Sequence, residues 1–138
     1  MDPLSLTASI TALVHATVQI IQYVNDVKDA SKEKRTLASE AAGLLGLLTN
    51  LKNRVEQAEK TPDPWYSGVR VLGGENGPLE QFRDSLEKLA AKLEPSSGIR
   101  KAGKSLLWTF DKAEMINILA KIERLKTLIG FALDNDQL

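Results

Sequence analysis

Between Pro3 and Asn25 the chain reads PLSLTASITALVHATVQIIQYVN, a run without a single Asp, Glu, Lys or Arg. Within it and just beyond, Ile10, Leu13, Thr17, Ile20, Val24 and Val27 recur at steps of three and four. Val14 and Ile21 widen that stripe into the broad face that a core-facing helix presents. The spacing predicts a helix from about Thr7 to Asp29. The run also meets the length test for a membrane span. However, Ser5, Thr7, Ser9, Thr11, His15, Thr17, Gln19 and Gln22 interrupt it, so it is a weak spanning candidate. Two roles follow. One is a buried helix of a helical core; the other is a helix buried at rest and releasable toward a bilayer.

Working outward, the same period returns three more times. From about Ser31 to Lys60 the seam is Leu37, Ala41, Leu44, Leu48, Leu51, Val55 and Ala58. From Pro78 to Glu94 it is Leu79, Phe82, Leu86, Leu89 and Leu93, and from Lys112 onward Met115, Ile118, Ile122, Leu125, Ile129 and Ala132. No segment alternates with period two, so a sheet is not proposed. The predicted fold class is all-α, a four-helix bundle of nearly aligned helices with a long ordered loop between the second and third. That loop runs from Thr61 to Gly77, and Trp65 and Tyr66 are expected to pin it to the bundle. Pro78 suits the first turn of the third helix, where its missing N–H costs nothing, and Glu80 complements the positive helix end. Pro95-Ser96-Ser97-Gly98 stops that helix, and Asp111 with Glu114 has the spacing of a capping box before the last one. Gly43 and Gly46, inside the second helix, suggest close helix approach or local give, at about 1 kcal/mol each relative to alanine.

Composition narrows the function. A length of 138 residues fits one domain with one hydrophobic core. Cysteine is absent, so disulfides and thiolate metal sites are excluded, which suits the cytosol. Basic and acidic residues balance at 18 each, without the basic excess expected of a nucleic-acid binder. Met1-Asp2-Pro3-Leu4 lacks the positive start of a signal peptide.

One motif matches a known pattern letter for letter. Gly98-Ile99-Arg100-Lys101-Ala102-Gly103-Lys104-Ser105 satisfies the phosphate-loop consensus, whose chemistry needs a strand before the loop and a helix after it. Here a helix precedes it, and no hydrophobic strand ends in an aspartate to help hold magnesium. The better reading is a basic loop whose Arg100, Lys101 and Lys104 can contact anionic lipid headgroups, each worth about 1 kcal/mol near a charged surface. His15 is the sole histidine and lies off the main apolar stripe, so neither a zinc site nor a catalytic constellation can be built on it. Asp63, Asp84, Asp111 and Asp134 fall on separate elements and offer no paired-carboxylate spacing. The large aromatics Trp65, Phe82, Trp108 and Phe110 are expected to be structural anchors. No catalytic residue, metal or cofactor is expected.

Three patches carry a family resemblance. Met1-Asp2-Pro3-Leu4-Ser5-Leu6-Thr7-Ala8-Ser9-Ile10 resembles the opening of N-terminal domains on fungal NOD-like receptors and ankyrin-repeat proteins. Gly77-Pro78-Leu79-Glu80-Gln81-Phe82 and Leu106-Leu107-Trp108-Thr109-Phe110, the latter followed by Ile122-Glu123-Arg124-Leu125-Lys126, resemble the same group. This is the HeLo-like class, related to the HeLo domain of fungal heterokaryon-incompatibility proteins. More distantly it is similar to the four-helix bundle of the animal necroptosis executioner. Where the family commonly has proline between the tryptophan and phenylalanine, this chain has Thr109.

The resemblance implies that residues 1–138 are a single bundle at the front of a larger receptor, an expectation that the apolar stripe continuing toward Leu138 also suggests. It implies a cell-death effector, cytoplasmic at rest, that self-associates and moves to the plasma membrane on activation. Its partners would be anionic lipids and a downstream nucleotide-binding oligomerisation domain or partner receptor, with no nucleic acid. The insertion role would fall on Leu4, Leu6, Ile10, Leu13, Val14, Ile20, Ile21 and Val24. The alternative is an interaction or regulatory module without membrane activity.

Overall fold

The computed structural model describes residues 3–25, 32–60, 64–73, 77–93 and 112–134. Every element among them is helical: α1 (Pro3–Asn25), α2 (Lys32–Lys60), α3 (Pro64–Val69), a 3₁₀ turn (Arg70–Gly73), α4 (Pro78–Leu93) and α5 (Lys112–Asp134). There is no strand among the described residues. α1 spans the uncharged run from end to end, and so begins four residues earlier than the apolar stripe alone suggests.

The periodic positions form one core. Leu6, Ile10, Leu13 and Ile20 of α1, Leu37, Leu44, Leu48 and Leu51 of α2, Leu79 of α4 and Ile122, Leu125 and Ile129 of α5 belong to one cluster, each almost wholly buried. α1 packs extensively on α2 and α4, and α2 on α5, whereas α4 and α5 share a much smaller contact. Burial of this apolar surface, worth about 25 cal/mol per Å², is the main driving force. Phe82 is half-buried and packs against the same core.

Local chemistry fixes the helix ends. The Gln81 N–H donates to the Gly77 carbonyl at 3.2 Å, so Gly77 is the N-cap of α4 and Pro78 its first residue. A proline there lacks only an N–H that would have had no partner inside the helix. Asp111, the expected cap of α5, lies outside the described residues, as does Val27.

Two expectations change. The segment expected as a loop between the second and third long helices carries a six-residue helix and a four-residue 3₁₀ turn. Gly43 and Gly46 do not mark a close approach of helices. A methyl group at Gly46 would meet nothing within 4 Å, and one at Gly43 would meet only the flexible end of Lys126, at 3.5 Å. The close approach is elsewhere, at buried Gly73, where an added Cβ would stand 2.5 Å from the Leu6 Cα. Such a distance admits glycine and excludes every larger residue without a backbone shift.

Candidate functional site

α1 is the candidate site, because its sequence sets it apart and its two faces have different fates. Leu6, Ile10, Leu13, Ala16, Ile20, Tyr23 and Val24 point into the core, and Val14 and Ile21 are half-buried at its margin. Leu4 lies on α1, with its side chain outside the described set. Thr17 is buried on the apolar stripe, where a bare hydroxyl would be costly. It donates to the Leu13 carbonyl at 2.6 Å, which satisfies it within the helix.

The opposite face is exposed and uncharged: Ala8, Thr11, His15, Gln19 and Gln22. With Ala12, Ala16 and Glu87 of α4, four of these line a groove of about 560 Å³ along the outside of α1. His15 is therefore a surface residue on this groove. Among the described residues, no three histidine or acidic side chains converge to hold a metal ion. None of the described helices is long and apolar enough to cross a membrane.

The N-terminal turns of α1 are held from two sides. Thr7 donates to a Glu59 carboxylate oxygen at 3.0 Å, joining α1 to the end of α2. The 3₁₀ turn lies against Leu6 through Gly73. Just before that turn, Trp65 is buried, and its indole N–H donates to the Ala132 carbonyl at 2.6 Å. Ala132 lies in the last turn of α5, where carbonyls run out of N–H partners within the helix. The Arg54 guanidinium of α2 sits 4.4 Å from the centre of the Trp65 ring, a favourable cation–π distance. Tyr66 is half-buried, with its hydroxyl enclosed beside the Glu59 carboxylate. Burial raises its pKa, and the negative charge of Glu59 adds to the rise while Arg70 opposes it.

Between α3 and α5 lies a second groove, of about 260 Å³. Pro64, Trp65, Gly68, Val69 and Leu72 line one wall, Leu128, Phe131 and Ala132 the other. Phe131 is 71 % exposed, the most exposed large apolar side chain among the described residues. Sequence reasoning missed this patch because Phe131 falls off the stripe of α5, and nothing in the sequence marks an off-stripe phenylalanine as part of a groove.

No family model, curated protein or solved structure matches the chain. The remaining sequence-derived candidates lie outside the described residues. These are Arg100, Lys101 and Lys104 of the phosphate-loop-like stretch, together with Trp108 and Phe110.

Proposed function

We propose that this chain is a membrane-directed effector domain, non-catalytic, in which α1 is stored in the core and acts when released. The architecture the reading needs is a four-helix bundle of α1, α2, α4 and α5. The single observation that carries it is the two-faced, uncharged α1. Released, it presents Leu6, Ile10, Leu13, Ile20 and Val24 to an acyl layer with no charge to desolvate. Its polar face argues against one copy spanning a bilayer alone. The reading therefore favours α1 lying in the interface, or inserting as an assembly in which Thr11, His15, Gln19 and Gln22 face one another. α1 has no lysine or arginine, so attraction to anionic lipid falls to Arg100, Lys101 and Lys104. The resemblance to HeLo-like domains supports the same reading, with a receptor as partner and the plasma membrane as destination.

The test uses dye release from anionic liposomes. Thr11→Glu with Gln19→Glu adds charge to the exposed face of α1, where the resting fold tolerates it. A carboxylate is disfavoured both in hydrocarbon and against anionic headgroups. Release by the natural chain that the folded double variant has lost is the expected result. Equal release by both, or none by the natural chain even when forced to oligomerise, overturns the proposal.

A second reading, an interaction module without membrane activity, is favoured by the α3–α5 groove and exposed Phe131. In that case Phe131→Asp abolishes partner binding and the α1 double variant leaves it intact.

A further inference from the structure

The short segment from Pro64 to Gly73 touches all four long helices. α3 packs on α2, and the 3₁₀ turn packs on α1 and α4. Trp65 reaches α5 through its 2.6 Å bond to the Ala132 carbonyl, with Arg54 of α2 over its ring. At the other end of the segment, an added Cβ on Gly73 would stand 2.5 Å from Leu6 Cα and 2.9 Å from Leu6 Cβ and Cδ1. α1 and α5 themselves share no sizeable direct interface.

We propose that Pro64–Gly73 is a strap that clamps the N-terminal turns of α1 and makes their release depend on the seat of Trp65 at the far end of α5. The anchor is local and directional: one indole N–H on one carbonyl in a final helical turn. The clamp is steric, a glycine backbone lying on Leu6. Between them run only seven residues, all of them in a helix and a 3₁₀ turn, which transmit displacement better than an extended loop does. When Trp65 leaves its seat, the turn lifts from Leu6 and α1 loosens from its first turns inward. The coupling rests on this geometry alone, whereas its consequence for membranes rests on the function proposed above.

Hydrogen exchange on the full chain, without lipid, tests it. Trp65→Phe keeps the aromatic ring and removes the N–H donor. The expected result is several-fold faster exchange at residues 6–13 of α1, with the centres of α2 and α4 unchanged. A rise confined to α3 and the end of α5, or an even rise across all helices, overturns the strap. Gly73→Ala supplies the converse, since its methyl group pushes the turn off Leu6 while leaving the Trp65 seat in place. It is expected to speed exchange at the same residues 6–13, and Trp65→Phe added to it should loosen them little further. No change at residues 6–13 in Gly73→Ala, or full additivity of the two variants, also overturns it. Loosening of α1 without dye release would leave the strap standing and remove the membrane reading.

Discussion

Single side chains divide here into those that fill the core and those that merely face water, and the distinction has measurable consequences. Leu13 is wholly buried in the middle of α1. Leu13→Ala removes most of its side chain and leaves a cavity among well-packed neighbours, so urea denaturation should show a loss of about 2–5 kcal/mol. Gly46 behaves oppositely. It is exposed in the interior of α2 with open space around it, so Gly46→Ala should stabilise the chain by about 0.5–1 kcal/mol in the same measurement. Gly73→Ala, against the backbone of Leu6, should destabilise. Gly43, Gly46 and Gly73 together show where sequence reading reaches its limit. A glycine in a helical pattern draws the eye because propensity penalises it. Yet the close contact belongs to one in a stretch that reads as loop, and only the path of the chain brings Leu6 beside it. The buried stripe residues, by contrast, were legible because period 3.6 alone assigns a face.

Elements are joined by a small number of polar contacts laid over the apolar core. Lys126 of α5 donates to Glu40 of α2 at 2.9 Å, with Glu123 3.7 Å away. The hydrogen bond to Glu40 raises the Lys126 pKa, against a smaller opposing effect of burial. Burial likewise raises the pKa of Tyr23 on α1 and is the largest cause of the rise at Tyr66 on α3. All three groups hold their protons more tightly in the folded chain than in the unfolded one. Their stabilising contribution is complete below about pH 10, where unfolded tyrosine and lysine are still protonated, and is lost as pH rises through the folded values. The melting temperature should therefore fall as the pH is raised from 9 to 11.5. A variant combining Tyr23→Phe, Tyr66→Phe and Lys126→Met should show a shallower fall. Part-exposed pairs such as Lys126–Glu40 contribute at most about 1 kcal/mol. At this scale the four long helices were legible in the sequence and α3 was not. Pro64-Trp65-Tyr66-Ser67-Gly68-Val69 is too short for a periodic signal and contains both common helix-breaking residues. Its helix rests on tertiary contacts of Trp65 that no local pattern encodes.

For the molecule as a whole, the pattern of packing is uneven: α1 sits between α2 and α4, α5 leans on α2, and the α4–α5 contact is the smallest of these. Exposed Phe131 beside its own groove is the place where the self-association that the proposed effector needs would start. An isologous pair would set each Phe131 toward the other copy's Leu72 and Val69. Sedimentation should then show a concentration-dependent dimer that Phe131→Asp removes without altering the helical spectrum. α1, with no charge of its own, has a seam with α2 and α4 that is largely apolar, its buried polar side chains being the neutral Ser9 and Thr17, with the Thr7–Glu59 contact at the edge. Ionic strength as such should hardly affect that seam, because there is little for counterions to screen. Sodium sulfate should tighten it and cooling should weaken it, since both act on the hydration of apolar surface. On the proposed reading, whatever frees α1 has to work through solvent and shape, for ionic strength alone gives it almost nothing to grip.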